Sequence, residues 1–96
     1  MIYPHAKFSG KRLRDIRKQK EYTQKELAYY LDVTQSAYAK YERELVPMPI
    51  NFLPLVSFYL NVDPNYLIGV VDYPFPYPSP LSNSFYYETN KKIQGE

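Results

Sequence analysis

Two threonines open short apolar-periodic segments in close succession, and this pairing limits the fold more than any other feature of the chain. Thr23-Gln24-Lys25-Glu26 is a capping box. The threonine oxygen accepts from the third amide of a helix, and the glutamate reaches back to the cap's own amide. Leu27, Ala28 and Leu31 then form an inward stripe at helical spacing. Asp32 and Val33 make a turn, and Thr34 caps a further helix running to about Arg43, with Ala37, Tyr38 and Tyr41 facing inward. Two such short helices can be stable only by packing on each other and on further helices.

Those further helices are marked on both sides. Ser9 is the N-cap of a first helix predicted over Gly10 to Lys20, with Leu13, Ile16 and Lys20 along one face. After Pro47 and Pro49, Asn51 is expected to cap a fourth helix reaching Leu60. Pro54 then falls in its first turn, where a missing amide costs nothing. Asp63-Pro64 opens a short fifth helix to Ile68, closed by Gly69. No run of alternating β-branched residues is present, so the expected class is all-α. The organisation reads as an N-terminal arm over 1–8, a five-helix domain over 9–69 and an extended tail over 70–96.

Composition narrows the functions. The 96 residues include no cysteine and one histidine, His5, so a thiolate zinc site is excluded and a metal site is not expected. No nucleophile–base–acid set and no phosphate-cradling glycine loop is present, so neither an enzyme nor a cofactor is expected. No apolar run approaches the roughly 18 residues of a membrane span. The first residues carry no charged-then-apolar signal, and the expected location is cytoplasmic. The net charge of +2 is small, but it is unevenly placed. Up to Glu44, ten basic residues face six acidic ones; beyond it, two basic residues face four acidic ones. The N-terminal half carries the positive field, as a polyanion-binding surface requires, though a solvated basic helix is the competing reading.

The helix that opens at Thr34 has small or polar outward residues: Gln35, Ser36, Ala39, Lys40 and Arg43. The major groove of DNA admits one helix, and long apolar residues at its tip would block the base edges. Glutamine can pair with adenine, lysine can donate to guanine acceptors, and serine bonds to several partners.

The segments Leu13-Arg14-Asp15-Ile16-Arg17, Tyr22-Thr23-Gln24-Lys25-Glu26-Leu27-Ala28 and Val33-Thr34-Gln35-Ser36-Ala37-Tyr38-Ala39-Lys40-Tyr41-Glu42-Arg43 resemble the Cro / lambda-repressor-like (Xre-type) helix-turn-helix family. The likeness continues through Leu60-Asn61-Val62 to Asp63-Pro64-Asn65-Tyr66-Leu67-Ile68-Gly69. It implies a five-helix fold and a transcriptional repressor that binds double-stranded DNA as a homodimer; the chain's length suits one of phage or mobile-element type, or a regulator of a small operon. It further implies that Gln24 contacts a phosphate and braces Gln35, that Thr34 is both cap and phosphate contact, and that Gln35, Ser36 and Lys40 face base edges. Arg17 and Glu42 stand where the family has an ion pair joining the first helix to the end of the third.

Glu21, Asp32 and Glu44 depart from that pattern, occupying places where members often have glycine. A left-handed residue with a side chain costs about 1–2 kcal/mol, less for Asp, so these turns are expected to take a different geometry, Glu44's above all. Glu44 is also expected to bring negative charge to the DNA side. Six tyrosines, Tyr29, Tyr30, Tyr38, Tyr41, Tyr59 and Tyr66, could stack on single-stranded bases. Their family positions favour packing in or beside the core. Tyr73-Pro74-Phe75-Pro76-Tyr77-Pro78 is extended, because each residue before proline is driven from the helical region. This tail reads as a strap over the last two helices, an arm to a dimer partner, or a disordered extension. The alternative function is accordingly an antitoxin or protein-interaction module that binds a partner through the tail.

Overall fold

The computed structural model describes residues 6–75 and is all-α. Expectations for residues 1–5 and 76–96 lie outside the described residues. The helices are α1 (Gly10–Gln19), α2 (Gln24–Leu31), α3 (Gln35–Glu42), α4 (Phe52–Leu60) and α5 (Pro64–Leu67). None of them is long and apolar enough to cross a membrane.

The N-caps follow the sequence reading with one exception. Ser9, Thr23, Thr34 and Asp63 each accept a backbone N–H in the first turn of their helix, and Thr23 with Glu26 completes the capping box. Asn51 occupies the cap position of α4, but its backbone is already helical and its side chain makes no capping bond. The entry is instead organised by a backbone turn, with the amide of Phe52 donating to Pro49 and that of Leu53 to Ile50. Pro54 falls in the first turn, as expected.

Each of these five helices ends the same way. Its last turn is closed by a Schellman pair of hydrogen bonds around one left-handed residue. At α2, Val33 N–H donates to Ala28 O and Asp32 N–H to Tyr29 O. The same pattern surrounds Glu21, Glu44, Asn61 and Gly69. Their φ values are 64° for Glu21, 58° for Asp32 and Glu44, 51° for Asn61 and 79° for Gly69. The expectation of a different turn geometry at Glu21, Asp32 and Glu44 is therefore corrected: the turns keep the glycine conformation without the glycine. The reason is local. Two hydrogen bonds, and an apolar residue directly after each left-handed residue other than glycine (Tyr22, Val33, Leu45, Val62), offset a strain of about 1–2 kcal/mol per joint, less at Asp32 and Asn61.

The joints fold the stripes inward. Leu13, Ile16, Leu27, Ala28, Leu31, Tyr38, Tyr41, Val56, Leu60, Val62 and Leu67 form one buried core. Of the six tyrosines, Tyr38 and Tyr41 are buried, Tyr30, Tyr59 and Tyr66 half-buried, and Tyr29 exposed.

The chain beyond α5 turns back onto α1. Arg12 donates from Nη1 to the carbonyls of Tyr66 (2.8 Å) and Val71 (2.9 Å) and from Nη2 to Asp72 (3.1 Å). Its guanidinium also lies 4.3 Å from the Tyr66 ring centroid. Further along, Asp63 N–H donates to Pro74 O at 2.7 Å, and Lys20 Nζ stands 5.1 Å above the Phe75 ring. Residues 70–75 thus lie as a strap against α1 and the α4–α5 joint.

Candidate nucleic-acid interface

The presentation of α3 begins with an ion pair in the interior. Arg17 on α1 and Glu42 at the end of α3 meet in a two-pronged contact, Nε to Oε2 at 2.6 Å and Nη2 to Oε1 at 3.1 Å. Both side chains are almost fully enclosed, at 8% and 1% exposure. Arg17 Nη1 also donates to the Tyr22 carbonyl at 2.9 Å, which ties the α1–α2 joint into the same cluster. Glu42 Oε1 accepts a further bond, from Gln24 Nε2 at 3.1 Å. The pair expected from the sequence is thus present, and it spans α1, α2 and α3. Gln24 is held by Glu42, where the sequence reading had it bracing Gln35.

Burial opposes the charge on Glu42, but bonds from Arg17 and Gln24, the adjacent Tyr38 hydroxyl and the positive charge of Arg17 outweigh it. Its carboxyl is held below the ordinary value of 4.5. The bonds to Glu42 raise Arg17 in turn. Burial pushes the Tyr38 phenol far above its usual range, so it stays neutral. Its hydroxyl is enclosed beside the pair without a well-aligned hydrogen bond.

A pH dependence follows from the Glu42 shift. A carboxyl with a lowered folded-state pKa stabilises the fold fully above its unfolded pKa, and this contribution is lost as pH falls through the folded value, because the unfolded chain takes the proton first. The difference in unfolding free energy between the native chain and Glu42→Gln is therefore expected to be flat above about pH 4.5 and to shrink below it. Urea titrations of both proteins across that range, followed by circular dichroism, measure it.

A second connection between α1 and α3 was not foreseen. Glu44 Oε2 accepts the amide of Gly10 at 2.9 Å. The carboxylate thus sits on the N-terminus of α1, where the helix dipole favours negative charge. The sequence suggests for Glu44 only a negative charge near the DNA side; this bond to α1 is a further role. Gly10 itself is buried against the end of α3. A Cβ there would overlap the carbonyl oxygen of Glu42, so the close approach of the two helices requires glycine. Gly10 and Glu44 were invisible to local pattern reading because they act on each other's helices, far apart in sequence.

With its rear so anchored, α3 offers its leading edge outward. Thr34, Gln35, Ser36, Lys40 and Arg43 are exposed, and Ala39 is half-buried. The Thr34 hydroxyl accepts the Ala37 amide at 3.0 Å, as expected of the cap. The other amides of the first turn have no partner within the helix and give it a positive end. Gln24 is half-buried, with one amide hydrogen committed to Glu42 and a second left over. Among the described residues nothing covers Gln35 or Lys40.

Residues 13–67, more than half of the chain, match the family model described as helix-turn-helix. The chain is also similar to an uncharacterized HTH-type transcriptional regulator, YobD, of Bacillus subtilis (strain 168), with 32% identity over 65 residues. That alignment covers 68% of this chain and 58% of the relative, so the chain spans somewhat over half the length of the curated protein it matches. No solved structure matches.

Proposed function

The chain belongs to the helix-turn-helix family, and from that premise we propose that it is a transcriptional regulator that binds double-stranded DNA in a sequence-specific manner. One observation carries the reading: the edge of α3 formed by Gln35, Ser36 and Lys40 is hydrophilic and open, while Tyr38, Tyr41 and Glu42 behind it are locked in the interior. Gln35 has the donor and acceptor for adenine, Lys40 a donor for guanine, and Ser36 a short adaptable hydroxyl. Ala39 keeps the middle of the edge low. The positive tips of α2 and α3, with Gln24 and Thr34 on them, suit phosphates, and Arg43 adds a charge at the far end.

More narrowly, the reading is of a Cro / lambda-repressor-like (Xre-type) repressor acting in the cytoplasm as a homodimer on a partly palindromic site. A single reading helix spans too few base pairs for tight discrimination, which argues for two copies. The likeness to the Bacillus HTH-type transcriptional regulator supports the broader reading of a transcriptional regulator.

Selection of bound sequences from a random DNA pool identifies the site and its half-site spacing. On that site, Gln35→Ala is expected to cost about 2 kcal/mol and to relax preference at one base pair. Lys40→Ala is expected to weaken binding by about 1 kcal/mol, with the fold unchanged by circular dichroism. Equal affinity of both variants and the native chain, in fluorescence titrations at one fixed salt concentration, would refute the proposal.

A further inference from the structure

Apolar side chains that the core does not absorb gather around α4. The helix buries Val56, Ser57 and Leu60 on one side. On the other, Pro54, Leu55 and Phe58 lie three and four residues apart and are exposed, Phe58 at 57%. Ile50, in the turn that leads into α4, is 81% exposed. Ring contacts carry this surface from Phe58 onto α2. Phe58 meets Tyr59 edge-on at 5.5 Å between centroids, Tyr59 stacks on Tyr30 at 4.5 Å, and Tyr30 meets Tyr29 edge-on at 6.0 Å. Tyr29, at the far end, is 80% exposed. A helix at the surface ordinarily carries charged and polar residues on its outer side. Here the chain has no charged residue from Leu45 to Val62.

Three properties of this face select what covers it. The first is size. Tyr29, Ile50, Leu55 and Phe58 together expose roughly 600 Å², at the upper end of what a monomer leaves open. Each partner in a standard interface gives about 800 Å², and the four side chains supply most of that. The second is composition: rings and aliphatic chains without charge characterise the centre of a protein interface. The third is neutrality. Single-stranded nucleic acid and an anionic membrane surface both require cations, which this face lacks. Charge complementarity, which selects one foreign protein over another, has nothing to act on. A two-fold contact sets one patch against its own copy, where any charge would meet its like. A neutral apolar patch meets itself without that penalty.

We propose that a second copy of this chain packs on the outer face of α4, α4 against α4 about a two-fold axis, with Tyr29 and Tyr30 at the margin. The proposal rests on the two-copy reading given above and assigns it a surface. Gln24 stands in the first turn of α2, and Gln35, Ser36 and Lys40 on α3, so none of them belongs to this face.

Sedimentation equilibrium of the full chain without DNA tests the contact. The native chain is expected to be a dimer at micromolar concentration. Leu55→Glu with Phe58→Glu, and separately Leu55→Lys with Phe58→Lys, are each expected to weaken self-association by at least about a hundredfold, because like charges then meet across the axis. Mixing the two variants sets opposite charges face to face and is expected to restore a dimer with one chain of each. Circular dichroism checks that both keep their helices. Should either lose them, Ile50→Glu and Ile50→Lys take their place, at a side chain with little contact to lose. A native chain that stays monomeric overturns the proposal. So does a dimer that survives the acidic substitutions, or a mixture that fails to associate, since either puts the contact on another surface. With no DNA in the sample, the result stands apart from the reading of α3. A monomer that still binds its site specifically removes only the dimer, and a dimer that binds no site removes only the DNA-binding role.

Discussion

Replacing Glu42 with alanine is expected to lower the unfolding free energy by about 3–5 kcal/mol. The loss does not measure how favourable the ion pair is. It measures what remains afterwards: a guanidinium at 8% exposure with its two bonds to the carboxylate removed. Desolvating a charge costs several kcal/mol, and only the opposite charge at close range offsets it. Gln24 would lose its acceptor in the same step, which unfastens α2 from α3. For a small domain with a typical stability of about 5–15 kcal/mol, this is a large share. The chain has no tryptophan, so urea unfolding is best followed by the helical circular dichroism band. A second protein, Arg17→Met with Glu42→Leu, separates the explanations. If the cost lies in the orphaned charge, the double variant recovers much of the stability that Glu42→Ala loses. If it unfolds as easily as the single variant, the account is wrong.

Gly10→Ala is expected to cost about 3 kcal/mol, at the upper end of overpacking losses. Two effects oppose each other. Alanine is favoured over glycine within a helix by about 1 kcal/mol, so helix propensity alone would make this change stabilising. The added methyl, however, overlaps a backbone carbonyl, that of Glu42, and a main-chain atom cannot swing aside as a side chain would. The helices must separate, and separation stretches both the Arg17–Glu42 contact and the Glu44 bond to the Gly10 amide. Steric overlap therefore decides the sign. An unfolding midpoint equal to or above that of the native chain would show that α1 and α3 lie further apart than described.

The sequence was most readable where a signal acts over one helical turn. Threonine and aspartate caps, prolines in first turns and the apolar stripes located the helices to within a residue or so, because cap and stripe lie inside the element they define. The Arg17–Glu42 pair was reached only through family resemblance, since residues on two different helices carry no shared local pattern. Where chemistry acts across the fold, nothing in the chain announced it. Gly10 reads as a neutral helix start, Glu44 as a stray charge and Arg12 as one more basic residue on α1. Each acquires its role from a distant partner: the Glu42 carbonyl, the Gly10 amide and the carbonyls of Tyr66 and Val71 respectively. The left-handed joints were misjudged for a different reason. Propensity weighs one residue's strain, whereas a Schellman ending supplies two hydrogen bonds and an apolar contact that outweigh it. The signal that could have revealed them was the apolar residue directly after each of Glu21, Asp32, Glu44 and Asn61.

The double fastening of the end of α3 to α1 has a mechanical consequence for the DNA-binding role proposed above. A helix clamped by a carboxylate in the interior and seated on a bare Cα cannot rock to follow an irregular groove. The compliance in any complex then belongs to the duplex, which must bend or twist to the fixed angle it is offered. Operators would be sorted partly by how readily their uncontacted base steps deform.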